Sequence, residues 1–253
     1  MSLRELRARI ADAAILLDYD GTLAPIVDRP EDAVPAEGAA DVLVTLVARA
    51  ASVTIVTGRP ASFVRELLPV AGLDVVGLYG LEGRPTLAAD LHAAVAAAID
   101  DEPGVHLEDK DASIAVHFRM APDPVAAVER VGPRLVRIAE LHGLELLHGK
   151  RVLELAPAGG GKGSVVRGVI AEREPAAALY AGDDLADLQA FAALDDLARR
   201  GAAVIRVAVL GSETPDDLTA AADVMVEGPE GLLALLRDLC LSPPRARSRP
   251  PPA

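Results

Sequence analysis

The sequence predicts an α/β protein: a doubly wound parallel sheet with a small α+β cap domain inserted into it. Three observations carry that reading. Apolar runs such as Ala13–Leu17 and Ala177–Ala181 stop abruptly before carboxylates. Parallel strands buried on both faces read this way where they reach the ligand-binding end of a sheet. Strand-like and helix-like stretches alternate in the first third of the chain and again towards its end. Between them lies a stretch of short strands around one long helix.

The elements follow in order. Ala13–Leu17, Val53–Val56 and Val75–Tyr79 read as strands, with helices at Ala36–Arg49 and Pro60–Leu68 between them. Pro60 suits a first helical turn. This βαβαβ succession implies parallel strands, and residues 1–83 are expected to form the first part of the core. After Gly83-Arg84-Pro85 come an Ala-rich helix, Leu87–Ile99, and strands at Val105–Glu108 and Ala112–Phe118. The helix Pro124–His142 and strands Leu144–Leu147 and Val152–Leu155 complete a ββαββ-like insert, expected over 84–158. The core resumes over 159–242. It holds a helix from Lys162, strand Ala177–Ala181, helix Leu185–Leu194, strand Ala203–Val207 and a last helix, Pro229–Leu239. The Pro/Arg-rich tail, 243–253, is expected to be disordered.

Composition narrows the function. Of 253 residues, 51% are apolar, enough for a sizeable core. The net charge of -13 argues against a nucleic-acid or anionic-membrane surface. In so acidic a chain, each Lys or Arg inside a motif gains weight as a local counter-charge for an anion. Cys240 is the only cysteine, so no intrachain disulfide can form, which fits a reducing cytoplasm. No apolar span reaches membrane length, and Met1-Ser2-Leu3-Arg4-Glu5 does not open a signal peptide. A monomer is compatible with the sequence.

Four motifs carry chemistry. The first is Asp18-Tyr19-Asp20-Gly21-Thr22-Leu23, at the end of a buried run. Two aspartates at i and i+2 on an extended strand point the same way and repel unless a cation or a proton intervenes. That layout suits a nucleophile, an acid/base partner and a divalent metal. A calcium loop would need further oxygen ligands nearby, and Leu23-Ala24-Pro25-Ile26 supplies none. The second is Thr57-Gly58-Arg59-Pro60, where a strand ends in a hydroxyl that can donate to a phosphoryl oxygen or simply cap the next helix. The third is Gly159-Gly160-Gly161-Lys162-Gly163-Ser164. It is not a Walker A loop, because Gly163 separates Lys162 from Ser164. A lysine at a helix amino terminus opposes the helix dipole, which favours a role in balancing phosphate and aspartate charge. The fourth is Gly182-Asp183-Asp184-Leu185-Ala186-Asp187, three acids within five residues.

In this order, the four motifs resemble those of the haloacid dehalogenase (HAD) superfamily of phosphohydrolases. Further stretches are similar to the trehalose-6-phosphate phosphatase family. They are the opening Leu16–Ile26, Lys110-x-x-Ser113-x-x-x-His117-Phe118-Arg119, Glu154 leading to Lys162-Gly163, and Gly182-Asp183-Asp184-Leu185-Ala186-Asp187. Tyr79-Gly80-Leu81-Glu82 stands where the family usually carries His-Gly-x-Glu, and Ala186-Asp187-Leu188 where it carries Thr-Asp-Glu. The resemblance implies a Mg²⁺-dependent phosphatase acting on a small sugar phosphate, through an aspartyl-phosphate, in the last step of trehalose biosynthesis. It implies Asp18 as nucleophile, Asp20 as acid/base, and Thr57 and Lys162 on the phosphoryl oxygens. Asp18, Asp20 (through its carbonyl), Asp183 and Asp187 are the metal candidates, with Asp184 a weaker one. Arg59, Glu82, Lys110, Ser113, His117, Arg119 and Glu154 are the expected substrate contacts. The alternatives are a HAD phosphatase for another sugar phosphate, a hexose phosphomutase, and a non-catalytic sugar-phosphate sensor.

Overall fold

The computed structural model describes residues 2–27, 29–149 and 151–241. The chain opens with helix α1 (Leu3–Ala8), started by a capping box in which Ser2 and Glu5 exchange side-chain-to-backbone hydrogen bonds. Strand β1 (Ala13–Leu17) is buried along its whole length. Helix α2 (Ala39–Val47), strand β2 (Ser52–Val56), helix α3 (Ala61–Leu67) and the short strand β3 (Asp74–Val76) follow. The chain then builds helix α4 (Ala89–Ile99), strands β4 (His106–Asp109) and β5 (Ile114–His117), helix α5 (Pro124–His142), and strands β6 (Leu144–Gly149) and β7 (Val152–Pro157). It closes with α6 (Lys162–Arg173), β8 (Ala177–Gly182), α7 (Asp187–Arg199), β9 (Ala203–Leu210), α8 (Asp216–Ala221), β10 (Val224–Glu227) and α9 (Gly228–Cys240).

Six of the strands form one parallel sheet in the order β10-β9-β8-β1-β2-β3. Strand residues alternate sides. Ala13, Ile15 and Leu17 therefore join the core made with α1, α2, α3 and α9. Ala14 and Leu16 join the opposite core, made with α6, α7 and α8. The winding runs from β1 through β2 to β3 on one side and from β8 through β9 to β10 on the other. The crevice opens at the carboxyl ends of β1 and β8, where that direction reverses.

The second sheet is antiparallel, in the order β4-β5-β7-β6, and lies in sequence between β3 and α6. Ile114 and Val116 of β5, with Leu153 and Leu155 of β7, pack on α4 and α5 through Leu91, Val95, Val131 and Leu135. Period-2 alternation turns Ser113, Ala115, His117 and Glu154 to the other face, with Ala115 directly opposite Glu154. Helix α5 has the bounds its sequence predicts. Asp123 accepts from the Ala126 amide at its start, and Gly143 ends it in the left-handed region.

The structure departs from the sequence reading at a few places. The strand expected over Val75–Tyr79 stops at Val76, because Leu78, Tyr79 and Gly80 turn into the left-handed region. Pro60 is the cap before α3 rather than its first residue. Helix α7 begins two residues later than expected, at Asp187, because Asp183–Ala186 form a turn held by Asp187 itself. Helices α1 and α8 and strand β10 had no sequence prediction: the helices are six residues each and the strand four. The expected tail, 243–253, lies outside the described residues. Among the described residues, no helix is long and apolar enough to cross a membrane.

Candidate active site

The loops after β1 and β8 meet at the reversal point. The Asp18 amide donates to the Ala181 carbonyl at 2.9 Å, joining the two strand ends. Gly21 has a φ of 77°, and a Cβ there would lie 2.1 Å from Asp183 Oδ2. Only glycine lets the first loop press so closely against that carboxylate. Lys162 enters at the amino terminus of α6 and is 3% exposed. Its Nζ lies 3.0 Å from Asp18 Oδ2, 2.7 Å from Asp187 Oδ1 and 3.6 Å from Asp184 Oδ1.

Asp187 is fully buried and organises the cluster. Its Oδ1 accepts from Lys162 Nζ and from the Tyr180 hydroxyl, each at 2.7 Å. Its Oδ2 accepts from the amides of Asp183 and Asp184, each at 2.9 Å. All four acceptor positions of the carboxylate are thus taken. Tyr180 was not singled out from the sequence. The available signal was a polar-tipped aromatic in an apolar strand, whose buried hydroxyl requires a partner. Gly182 is as constrained as Gly21, since a Cβ there would sit 2.1 Å from Asp187 Cγ. We expect Gly182→Ala to lower stability by about 1–3 kcal/mol through overpacking. The urea midpoint measures this, and an unchanged midpoint would show that the turn relaxes around the methyl group.

Burial pushes the Asp18 carboxyl well above the usual carboxylate range; Lys162 pulls it back, while Asp187, Asp183 and Asp184 push it further up. For Lys162, burial opposes the charge, but Asp18, Asp187 and Asp184 prevail and hold the ammonium well above its usual range. Three carboxylates, of Asp18, Asp184 and Asp187, therefore share the Lys162 ammonium, with that of Asp183 close by. Asp18, Asp183 and Asp187 each present an oxygen within 4.8 Å of the others, and all three are buried. A divalent cation relieves that imbalance, and an all-oxygen donor set matches the hard-cation chemistry of magnesium. Asp18, Asp183 and Asp187 are the carboxylates placed to hold such an ion, with Asp187 also accepting from Lys162 and Tyr180.

The remaining expected residues fall into three groups. Thr57 is buried at the end of β2, and its Oγ1 accepts from the Arg59 amide at 3.1 Å. Its own proton is left to donate to an anion. Asp20 takes a bidentate pair from Arg59, with Nε at 2.7 Å and an Nη at 2.6 Å. Two of the expected site residues thus pair with each other. Arg59, expected on the substrate, pairs with Asp20 and lies over the Phe63 ring at 4.6 Å. The Asp20 carboxylate faces that guanidinium and stands outside the acidic triad. Glu82, also expected on the substrate, accepts from the Ala61 amide at 2.6 Å and so caps α3.

On the second sheet, Glu154 is 3% exposed and receives Ser113 Oγ at 2.5 Å and Lys110 Nζ at 3.1 Å. His117 pairs with Glu108 at 2.8 Å and stacks on His106. Arg119 reaches back to the loop after β1 and donates to the Val27 carbonyl at 3.1 Å, a contact between segments 92 residues apart. Between the sheets lies a narrow cleft of about 20 Å³, lined by Lys162 and Gly161 from the core, Glu154 and His148 from the second sheet, and Tyr79 and Gln189.

Known proteins resemble this chain. The trehalose-phosphatase family model matches residues 16–223, from β1 to just before β10. A probable trehalose-phosphate phosphatase of Sinorhizobium fredii is 30% identical over 249 residues, covering 92% of this chain and 91% of its own. An uncharacterized glycosyl hydrolase of Mycobacterium tuberculosis is 33% identical over 204 residues, 72% of this chain; the match spans only 15% of that protein's length. The C-terminal domain of Candida albicans trehalose-6-phosphate phosphatase superposes with a TM-score of 0.79 at 22% identity, covering 94% of this chain and 96% of that one, which shows a shared fold. The family match spans the two loops, the buried lysine and the second sheet alike, and the chain belongs to the trehalose-phosphatase family.

Proposed function

We propose that this protein is a phosphatase that hydrolyses trehalose 6-phosphate to trehalose and phosphate. The observation that carries the reading is one cleft lined by Lys162, which pairs with Asp18 at the strand reversal, and by Glu154, which binds Lys110 and Ser113 on the second sheet. The chemistry of that pairing suits a dianion joined to a polyol. Lysine and the Thr57 hydroxyl hold phosphoryl oxygens, and a carboxylate with its donors holds sugar hydroxyls. We read 84–158 as a cap that closes over the core and excludes water. The single cysteine supports a cytoplasmic setting.

The mechanism follows from the residues. Asp18 Oδ attacks phosphorus, forming an acyl phosphate as the bond to the sugar oxygen breaks. Asp20, aimed by Arg59, gives a proton to the departing oxygen and then takes one from the water that cleaves the acyl phosphate. Lys162 balances the charge that gathers on the equatorial oxygens. Asp187 and Tyr180 keep Lys162 in place. Asp18, Asp183 and the Asp20 carbonyl would hold Mg²⁺, which when bound neutralises phosphoryl charge and polarises the phosphorus.

The test is phosphate release from a panel of sugar phosphates, with Mg²⁺ and with EDTA. Metal-dependent release, strongest for trehalose 6-phosphate, is the expected result, with EDTA removing essentially all of it. Release favouring another sugar would keep the mechanism and discard the substrate. Binding of the sugar phosphate with Mg²⁺ but without turnover would make the protein a sensor. A requirement for a bisphosphate activator would mark a mutase.

A further inference from the structure

Leu78, Tyr79 and Gly80 have φ values of 46°, 53° and 79°. Consecutive left-handed residues that carry side chains are rare and cost free energy unless their surroundings hold them. Here the hold is visible. The Tyr79 amide donates to the Thr57 carbonyl at 3.0 Å, and the Leu78 amide to the Arg59 carbonyl at 2.9 Å. The turn lays the Tyr79 ring against Gly58, where a Cβ would fall 2.7 Å from both Cζ and Oη. The ring is thereby fixed beside the Thr57 loop and becomes a wall of the cleft, between Lys162 and Glu154. Among the described residues, no hydrogen bond satisfies its hydroxyl. Burial raises the phenol well above its ordinary range, with Lys162 opposing, so at neutral pH it is an uncharged donor.

We propose that the Tyr79 hydroxyl is a specificity-determining contact, hydrogen-bonded to a hydroxyl of the leaving sugar and holding that sugar between the core and Glu154. The proposal rests on the sugar-phosphatase reading and adds the residue that selects the sugar. The chain carries tyrosine where the family resemblance expects histidine. A phenol reaches further than an imidazole and does not become cationic, so the two residues favour different sugar hydroxyls. Strain in the turn then has a purpose, because a relaxed turn would not aim the hydroxyl into the cleft.

The experiment compares the full-length wild-type chain with Tyr79→Phe and Tyr79→His in Mg²⁺. It measures kcat and KM for trehalose 6-phosphate and for p-nitrophenyl phosphate, which has no sugar hydroxyls. Phenylalanine keeps the ring and its packing on Gly58. We expect Tyr79→Phe to lower kcat/KM for the sugar phosphate by roughly 3- to 10-fold more than for p-nitrophenyl phosphate, mainly through KM, as for the loss of one neutral hydrogen bond. We expect Tyr79→His to recover part of that difference. Equal losses on both substrates would overturn the proposal and leave Tyr79 a packing residue of the Thr57 loop, as would no loss on the sugar phosphate. A wild-type chain that releases phosphate from neither substrate would instead overturn the phosphatase reading, and this contact with it.

Discussion

Asp18→Asn is expected to lower phosphate release from trehalose 6-phosphate by roughly 10⁴-fold or more, because an amide oxygen cannot replace a carboxylate as nucleophile. The fold should survive. Asp18 is buried among three other acids, and its carboxyl sits well above the usual range because of burial and those acids. A carboxyl raised in the folded state makes the metal-free protein lose stability as pH rises from the ordinary carboxylate range through the raised value. The neutral amide removes that dependence at this position. In EDTA at neutral pH, the variant's melting temperature should therefore equal or exceed that of the wild type, while Lys162 keeps Asp187 and Asp184. Paired activity and melting measurements separate the outcomes. Residual turnover within about tenfold of wild type would sink Asp18 as nucleophile. Loss of activity together with collapse of the fold would show that Asp18 is a structural keystone.

Lys162→Met should harm both activity and stability. The methionine fills similar volume and removes the one ammonium that Asp18, Asp184 and Asp187 share. Breaking a buried ion pair from one side costs about 3–5 kcal/mol, because the partner charges stay behind. In a chain of this size that is a fall in melting temperature of roughly 10 °C. Activity should fall by about 10²–10³-fold through loss of charge stabilisation at the phosphoryl group. The sign of the pH dependence is fixed. The Lys162 ammonium is held above its usual range, so its stabilisation is complete at neutral pH and is lost only in strong alkali. Without it, the carboxylates are further destabilised in their charged form, and protonating them relieves the variant. The stability deficit should therefore be larger at pH 8 than at pH 5, and added Mg²⁺ should reduce it. A deficit independent of pH and of metal would mean that Lys162 acts by packing alone.

Much of this molecule is legible in its local sequence. The run Ala13–Leu17 announces a doubly buried strand, and β1 has those bounds. Pro124–His142 reads as one helix, and α5 has those bounds. Lys110, Ser113 and Glu154 point to a polar patch, and they meet. Each of these readings depends on neighbours in the chain.

What local pattern cannot carry is which donor finds which acceptor once distant segments pack. Asp20 and Arg59, in different motifs, bind each other. Glu82 accepts from the Ala61 amide at the amino terminus of α3. Asp187 counts in sequence as one more acid for a metal; packing also gives it Tyr180, Lys162 and two amides as donors. Tyr79 ends up in the cleft through a left-handed turn that β propensity gives no reason to expect. The sequence by itself determined the bounds of β1 and α5, the order of the motifs and the kind of groups that would gather. The tertiary structure decided which of those groups pair with which. The physical reason is that hydrogen-bond capacity is finite and burial leaves no water to fill it, so packing assigns every buried carboxylate its partners.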